Sequence, residues 1–218
     1  LRVDGERVRA GTRVWIRKEG APVQVAFDSD RSSGNGRAYL DAPAVDMAGW
    51  ASLLRYAGVT AESGAGRVQG WVELRKRRVV LATSELKLRQ VGLRGAPLAG
   101  SGSAPRLHFD RVEGRVRWRL TRNGWRFDAP QLLVGDQQVP QRLDGLVLAG
   151  GQEYALLANQ IDAAPLFSLM GLSGRVDPGL RRWLSQAKPG ARLAQVTLAG
   201  SRTAGMHAQG RLGGISFL

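Results

Sequence analysis

Residues 111–120 alternate strictly between charged and uncharged side chains, and this pattern limits the possible fold more than any other feature of the chain. Successive side chains of a β-strand point to opposite faces, so a period of two predicts a strand with one wet face and one apolar face. The charged set is Arg111, Glu113, Arg115, Arg117 and Arg119, and the other set is Val112, Gly114, Val116, Trp118 and Leu120. We expect Arg115, Arg117 and Arg119 to face solvent.

Similar alternation covers most of the chain, which predicts a mainly β fold built from antiparallel hairpins. Asn123-Gly124 indicates the turn after the 111–120 strand, and Lys76-Arg77 indicates the turn inside a long ribbon over 67–95. The Gly-rich and Ser-rich stretch 99–106 is expected to be a long hairpin connection within one continuous sheet. Further strands are predicted at 2–9, 12–18, 22–27, 36–44, 143–149, 152–160, 191–199 and 205–217, with Asp4-Gly5, Gly34-Asn35-Gly36 and Gly150-Gly151 among the turns between them.

Three short helices are expected to interrupt the strands. Each is indicated by an Asp that can cap the first turn and by apolar residues at helical spacing after it. The expected role of these helices is core packing, with Trp183 and Leu184 of the third helix placed against the sheet. The predicted caps and helices are Asp46 with 47–57, Asp162 with 163–171, and Asp177 with a segment that runs to Ala187 and stops at Pro189-Gly190.

A stretch of the chain occurs twice. Residues 45–58 read VDMAGWASLLRYAG and residues 161–174 read IDAAPLFSLMGLSG, with Asp46 matching Asp162 and Gly58 matching Gly174. An internal repeat usually means stacked units that share one core. The prediction is that residues 1–218 are a segment of a larger repetitive protein, with repeat-like units at about 36–98 and 152–218.

The charge balance permits two interpretations. Lys and Arg number 32 against 18 Asp and Glu, a formal net charge of +14. Such an excess indicates an anionic partner such as nucleic acid, membrane headgroups or an acidic glycolipid, or else only solubilising charge on outward strand faces. The chain has no Cys, which excludes disulfides and thiolate chemistry.

The residue types that carry catalysis are sparse. His108 and His207 each stand alone in a strand-like context, no G-x-S-x-G elbow occurs, and no metal-ligand spacing is present. The sequence therefore predicts a protein that is not an enzyme and that uses no cofactor or metal.

The basic run Arg75-Lys76-Arg77-Arg78 is the strongest indication of nucleic-acid binding. Sheets that bind single strands place aromatic side chains among basic ones so that bases can stack. Trp71 and Trp118 are both assigned to the apolar side of their strands, away from the basic residues. This separation argues against a stacking platform, and no nucleic-acid partner is expected.

The chain resembles the YhdP type of AsmA-like proteins, which are bridge-like lipid transport proteins of the Gram-negative envelope. The resemblance rests on a strand ending in Q-I-D or A-V-D, the short helix AAPLFSLM, the segment LRRWLSQAKPGARL and the ribbon segments GRVQGWVEL and SELKLRQVGLRG. It implies a long, strongly curved antiparallel sheet that forms a hydrophobic groove, with the three short helices packed on it. It also implies a periplasmic part of a protein anchored in the inner membrane.

In that family the groove is associated with the transport of phospholipid between the inner and outer membranes. The implied partners are phospholipid acyl chains, together with both membranes through parts of the protein outside this chain. A polyanion-binding or nucleic-acid-binding β-protein and a structural envelope scaffold remain the alternatives. The residues expected to line the groove are Val72, Leu74, Val80, Leu86, Leu88, Val112, Val116, Trp118 and Leu120.

Overall fold

The computed structural model describes residues 2–15, 21–51, 55–56, 58–98, 103–135, 140–201 and 203–217. These residues form one 13-stranded sheet in which every paired strand is antiparallel. The strands follow one another in sequence order from β1 to β13, except that β5 pairs only with β6. The predicted mainly β, antiparallel fold is confirmed.

The strands and helices have the following bounds. The strands are β1 Arg2–Asp4, β2 Arg7–Val14, β3 Val23–Asp30, β4 Gly36–Asp46, β5 Arg55–Tyr56, β6 Val59–Arg75, β7 Arg78–Arg94, β8 Arg106–Thr121, β9 Gly124–Gly135, β10 Pro140–Gly151, β11 Glu153–Asp162, β12 Gly190–Ser201 and β13 Gly205–Ser216. The helices are α1 Ala164–Leu172 and α2 Pro178–Ala187, and a 3-10 turn covers Met47–Trp50.

The turn chemistry of the sequence predicts two of the hairpins well. Lys76 and Arg77 join β6 to β7 with φ angles of 51° and 62°, the left-handed conformation of a tight hairpin turn. In the β8–β9 hairpin Thr121 pairs with Gly124, so the turn lies one residue earlier than the predicted Asn123-Gly124. At the amino end the predicted strand 2–9 breaks at residues 5–6 into β1 and the start of β2. Of the predicted strand 12–18, residues 12–14 belong to β2, and residues 16–18 lie outside the described residues.

The sheet has two chemically different faces. On one of them, called here the apolar face, Leu88 lies opposite Val112, which lies opposite Val134. Farther along, Leu143 lies opposite Ile161, and both are about 1% exposed. The other face, called the charged face, carries Arg115 and Arg117, which are exposed as predicted.

Simple alternation fails along a line that crosses four strands. Pro130, Gly145, Asn159 and Gln195 lie at the same level of β9 to β12, and Gly145 and Gln195 have positive φ angles of 64° and 53°. Because one residue in each strand is displaced, Leu143 and Leu146 both reach the buried cluster on the apolar face, at 1% and 4% exposure. A strict period of two would put them on opposite faces.

Asp46 and Asp162, the equivalent Asp residues of the repeat, make different contacts. Asp46 caps the 3-10 turn by accepting a hydrogen bond from the Ala48 amide at 3.1 Å. The predicted helix 47–57 is wrong beyond that turn, because residues 55–56 form β5, while 52–54 and 57 lie outside the described residues.

Asp162 does not cap α1, contrary to the prediction. The N-cap is Ala163, which makes no side-chain cap hydrogen bond. Asp162 instead accepts from the Arg142 amide at 2.8 Å and lies 3.4 Å from Arg192 Nε, so it joins β10, β11 and β12.

The third predicted helix is confirmed in its limits and wrong in its packing. Asp177 accepts from the amides of Gly179 and Leu180 at 2.8 and 3.0 Å, and Lys188 ends α2 in the left-handed conformation. Leu184 is buried, but Trp183 is 47% exposed and meets Phe217 edge-on at a centroid distance of 6.5 Å. The helix packs on α1, and its buried side is formed by Arg181 and Leu184.

Candidate functional site

The apolar face carries one row of side chains that crosses eleven strands without a polar residue. The pairing register sets these residues directly opposite one another from β2 to β13. We call this set the apolar row. It consists of Ala10, Phe27, Ala38, Val72, Ala82, Trp118, Phe127, Leu148, Leu156, Leu198 and Ala208.

The residues predicted to line a groove fall on this face by strand alternation. Val72 and Trp118 belong to the apolar row, and Leu88 is buried in the core cluster with Val112 and Val116 packed against it. Leu120 is the most open of the set, at 48% exposed. The half-buried members are Val72, Leu74, Val80, Leu86, Val112, Val116 and Trp118.

One end of the apolar face is covered. Leu166, Phe167 and Leu169 of α1 pack onto the buried cluster, and Met47 of the 3-10 turn packs there as well. A side chain at Gly64 would collide with Met47, which shows how closely the turn approaches β6. Ligand access to the apolar face is therefore restricted beneath the helices.

The opposite end, near the hairpin turns, is open. Leu120, Trp125, Tyr154 and Met206 lie along it and are all exposed. The Trp125 ring lies over Gly150 and the Tyr154 ring lies over Gly200, since a Cβ at either glycine would meet the ring within 3 Å. Neither aromatic residue is among those predicted to line the groove; the signal that could have found them is a glycine directly opposite each in the paired strand.

The charged face is organised as cross-strand ion pairs. Glu62 lies 2.7 Å from Arg94 Nε and 3.1 Å from Arg106 Nε. Asp28 is held by the Arg7 guanidinium through two hydrogen bonds of 2.7 and 2.5 Å, and Arg9 approaches it at 3.4 Å. The hydrogen bond from Arg7 is the main cause that lowers the pKa of Asp28. Much of the positive charge thus has a carboxylate partner within the sheet.

Asp128 is the most buried carboxylate of this face. Burial alone would raise its pKa, but the hydrogen bond from Arg126 and the charges of Arg126, Arg117 and Arg119 outweigh burial and lower the pKa. Arg126 lies 2.7 Å away and Arg117 lies 3.5 Å away. Arg119, which was predicted to face solvent, is half-buried and lies across from Arg126 and near Asp128.

The assignment of Trp71 to the apolar side is wrong. Trp71 lies opposite Tyr39 in β4, and their ring centroids are 5.5 Å apart. It shares its strand face with Arg67, Gln69 and Glu73, so it belongs to the charged face. Trp118 is on the apolar face as predicted.

The described residues hold no group of three or more His, Cys, Asp or Glu side chains arranged to bind a metal. His108 contacts Gln90 at 2.9 Å and Asp110 at 3.3 Å on the charged face. Within the described segments, neither helix has the length and apolar composition needed to cross a bilayer.

These features define the class of protein as a single antiparallel sheet with one continuous apolar face, one ion-paired face and helices over part of the apolar side. A family model described as YhdP protein matches residues 2–217. The chain therefore belongs to the YhdP family, an envelope family related to lipid transport. No curated protein and no solved structure matches the chain.

Proposed function

We propose that this chain binds phospholipid acyl chains along its apolar face and passes them across the periplasm between the inner and outer membranes, as part of a protein anchored in the inner membrane. The observation that carries the proposal is the apolar row, which crosses eleven strands without interruption. At an inter-strand spacing of about 4.8 Å, the ten steps of that row span roughly 48 Å.

The free energy of an acyl chain changes little along the apolar row, which allows the lipid to move and does not hold it at one position. Each CH₂ group removed from water is stabilised by about 0.8 kcal/mol, so an acyl chain is held by contact with apolar surface wherever it lies. Because every member of the row is apolar, successive positions offer similar free energy, and the barrier between neighbouring positions is small. A charged headgroup stays in water at the open end, beside Trp125 and Tyr154, whose rings suit a boundary between apolar surface and water.

Leu156 and Leu157 provide a matched test, because they are adjacent, chemically identical and on opposite faces. Leu156 belongs to the apolar row, whereas Leu157 pairs with Thr197 on the charged face and is 41% exposed. A photo-crosslinking amino acid at position 156 should capture phospholipid in cells, detected by mass spectrometry, and the same group at 157 should not.

Equal capture at the two positions would contradict a face-specific lipid path. Absence of lipid at both, in protein that accumulates normally, would favour a purely structural envelope scaffold.

A further inference from the structure

The charged face of the amino-terminal strands carries the aromatic pair Tyr39 and Trp71, which lines a trough. Its largest depression encloses about 880 Å³. Two smaller depressions continue it in both directions along the strands, one sharing Asp28, Arg37 and Glu73 with it and the other sharing Gly11, Ala26 and Tyr39.

The pairing register assigns this trough to the charged face. Its lining takes in two neighbouring outward rows, Arg9–Asp28–Arg37–Glu73 and Gly11–Ala26–Tyr39–Trp71. It also includes the residues of the apolar row that lie between these two rows in each strand, which are Ala10, Phe27, Ala38 and Val72. The continuation toward Arg13 and Gln24 adds a third row, and the one toward Arg7 and Asp30 adds a fourth. Three two-residue steps along a strand make the trough about 20 Å long. The side chains of its outward rows point away from the face on which the lipid path was proposed.

The aromatic pair is held in place and left open. Gln69 donates a hydrogen bond to the Tyr39 hydroxyl at 3.0 Å, and the Trp71 ring is packed against Tyr39 and partly exposed. A cross-strand aromatic pair stabilises a sheet by itself. The small residues beside it need a different reason: a Cβ at Gly11 would touch only the Val25 carbonyl oxygen, at 3.8 Å, so the backbone does not require glycine there. Gly11 and Ala26 keep the space beside the rings empty.

The charges along the trough are mixed, with an excess of Arg. Six Arg side chains line it against three carboxylates: Arg2, Arg7, Arg9, Arg13, Arg37 and Arg75 against Asp28, Asp30 and Glu73. Arg37 and Glu73 lie opposite each other in register and flank the rings, and among the described residues neither has an ion pair or a side-chain hydrogen bond. A free guanidinium and a free carboxylate therefore border the same aromatic surface.

We infer that this trough binds an acidic oligosaccharide, meaning a chain of sugar rings that carry carboxylate or phosphate groups. The flat apolar side of a sugar ring can lie on Trp71 and Tyr39, the acidic substituents can pair with Arg37 and its neighbours, and hydroxyl groups can donate to Glu73. A single-stranded nucleic acid would also stack on aromatic rings. Its continuous row of phosphates, however, would meet three carboxylates along the trough, which disfavours it.

The test is a binding titration of the intact chain with oligogalacturonate, with a neutral oligosaccharide of the same length and with a single-stranded DNA oligonucleotide. Oligogalacturonate should bind, and Trp71→Ala should weaken its binding by about tenfold or more. Trp125→Ala, which removes an exposed Trp from the apolar face, should leave that binding unchanged. Arg37→Gln should weaken oligogalacturonate binding while leaving any weak binding of the neutral oligosaccharide unaltered.

Gly11→Val tests the site without touching a polar or aromatic residue. Valine suits a strand, and its Cβ would meet only the Val25 carbonyl oxygen at 3.8 Å, so the fold should be retained while the filled trough loses oligogalacturonate binding. Three outcomes would overturn the inference: no binding of oligogalacturonate, binding that survives both Gly11→Val and Trp71→Ala, or tighter binding of DNA with a steep salt dependence.

Discussion

Gly58 and Gly174, which occupy equivalent positions in the two copies of the repeated sequence, meet in the folded chain. A Cβ on Gly58 would lie 3.7 Å from the Gly174 amide nitrogen and 2.9 Å from the Cβ of Ala96. Gly58, at the end of the first copy, thus touches the connection between α1 and α2 as well as the loop that follows β7. The 3-10 turn of the first copy and α1 of the second copy together cover one end of the apolar face.

This contact predicts that Gly58 resists substitution. Gly58→Ala should lower the free energy of unfolding by roughly 1–3 kcal/mol, because the new Cβ collides with Ala96 and the φ angle of 82° strains any L-residue. Gly49→Ala is the matched control, since a Cβ there meets nothing within 4 Å. Urea unfolding of the two variants measures the difference, and equal stability would contradict the contact.

Arg181 should be the most important single side chain of the helical covering. It is buried and donates hydrogen bonds to the carbonyl oxygens of Gly171 at 3.1 Å, Pro97 at 3.3 Å and Ala96 at 2.5 Å, which ties the helices to the loop after β7. Arg181→Met should cost about 3 kcal/mol, because buried carbonyl groups lose a charged donor.

The neighbouring Arg182 is exposed and serves as the control for Arg181. Arg182→Met should change stability by less than about 0.5 kcal/mol. Limited proteolysis of the 95–98 loop should accelerate in the Arg181 variant alone. Similar protection of that loop in both variants would show that the guanidinium does not hold it.

The stability of the chain should fall in acid partly through Asp128. Its pKa is lower in the folded than in the unfolded state, so its contribution is present above the unfolded value and disappears as the pH falls through the folded value. Below about pH 4 the wild-type free energy of unfolding should therefore drop more steeply than that of Asp128→Asn. Glu153→Gln, at an exposed position, should follow the wild-type curve, and parallel curves for all three proteins would contradict the prediction.

A charge placed in the apolar row should stop function without unfolding the sheet. Val72 is half-buried in that row, and desolvating an Asp there as an acyl chain passes costs several kcal/mol. Val72→Asp should therefore reproduce the loss of the whole protein in cells, whereas Val72→Ile should be tolerated. Leu157→Asp, on the charged face, is the control and should remain active. A fully active Val72→Asp protein at normal abundance would contradict the lipid path.

Local chemistry explains which features could be predicted from the sequence. Period-two alternation depends only on residues within one strand, and it identified the β8 strand, its two faces and the antiparallel fold. Turn residues act over two positions, so Lys76 and Arg77 were placed correctly. The Asp177 cap and the following Pro178 fixed the start of α2 for the same reason.

The side chains that the sequence misassigned are those whose surroundings come from distant parts of the chain. Trp183 looks like a core residue on its own helix, but the carbonyl groups that bind Arg181 come from α1 and from the loop after β7, and they turn the helix so that Trp183 faces outward. Strand alternation by itself places Trp71 with Arg67, Gln69 and Glu73, whereas the aromatic surface on the charged face forms only through its pairing with Tyr39 in another strand.

The sequence alone therefore determined most element types, most strand positions, the division into an apolar and a charged face, and the family. The tertiary structure decided whether each face continues from strand to strand. A displaced residue such as Gly145 or Gln195 reverses the alternation within its strand, and only pairing with neighbouring strands fixes where that reversal occurs. It also decided which part of the apolar face lies open, since α1 and the Met47–Trp50 turn cover surface contributed by strands far away in sequence. Strand periodicity is a local property of the chain, whereas register and burial depend on contacts between distant segments.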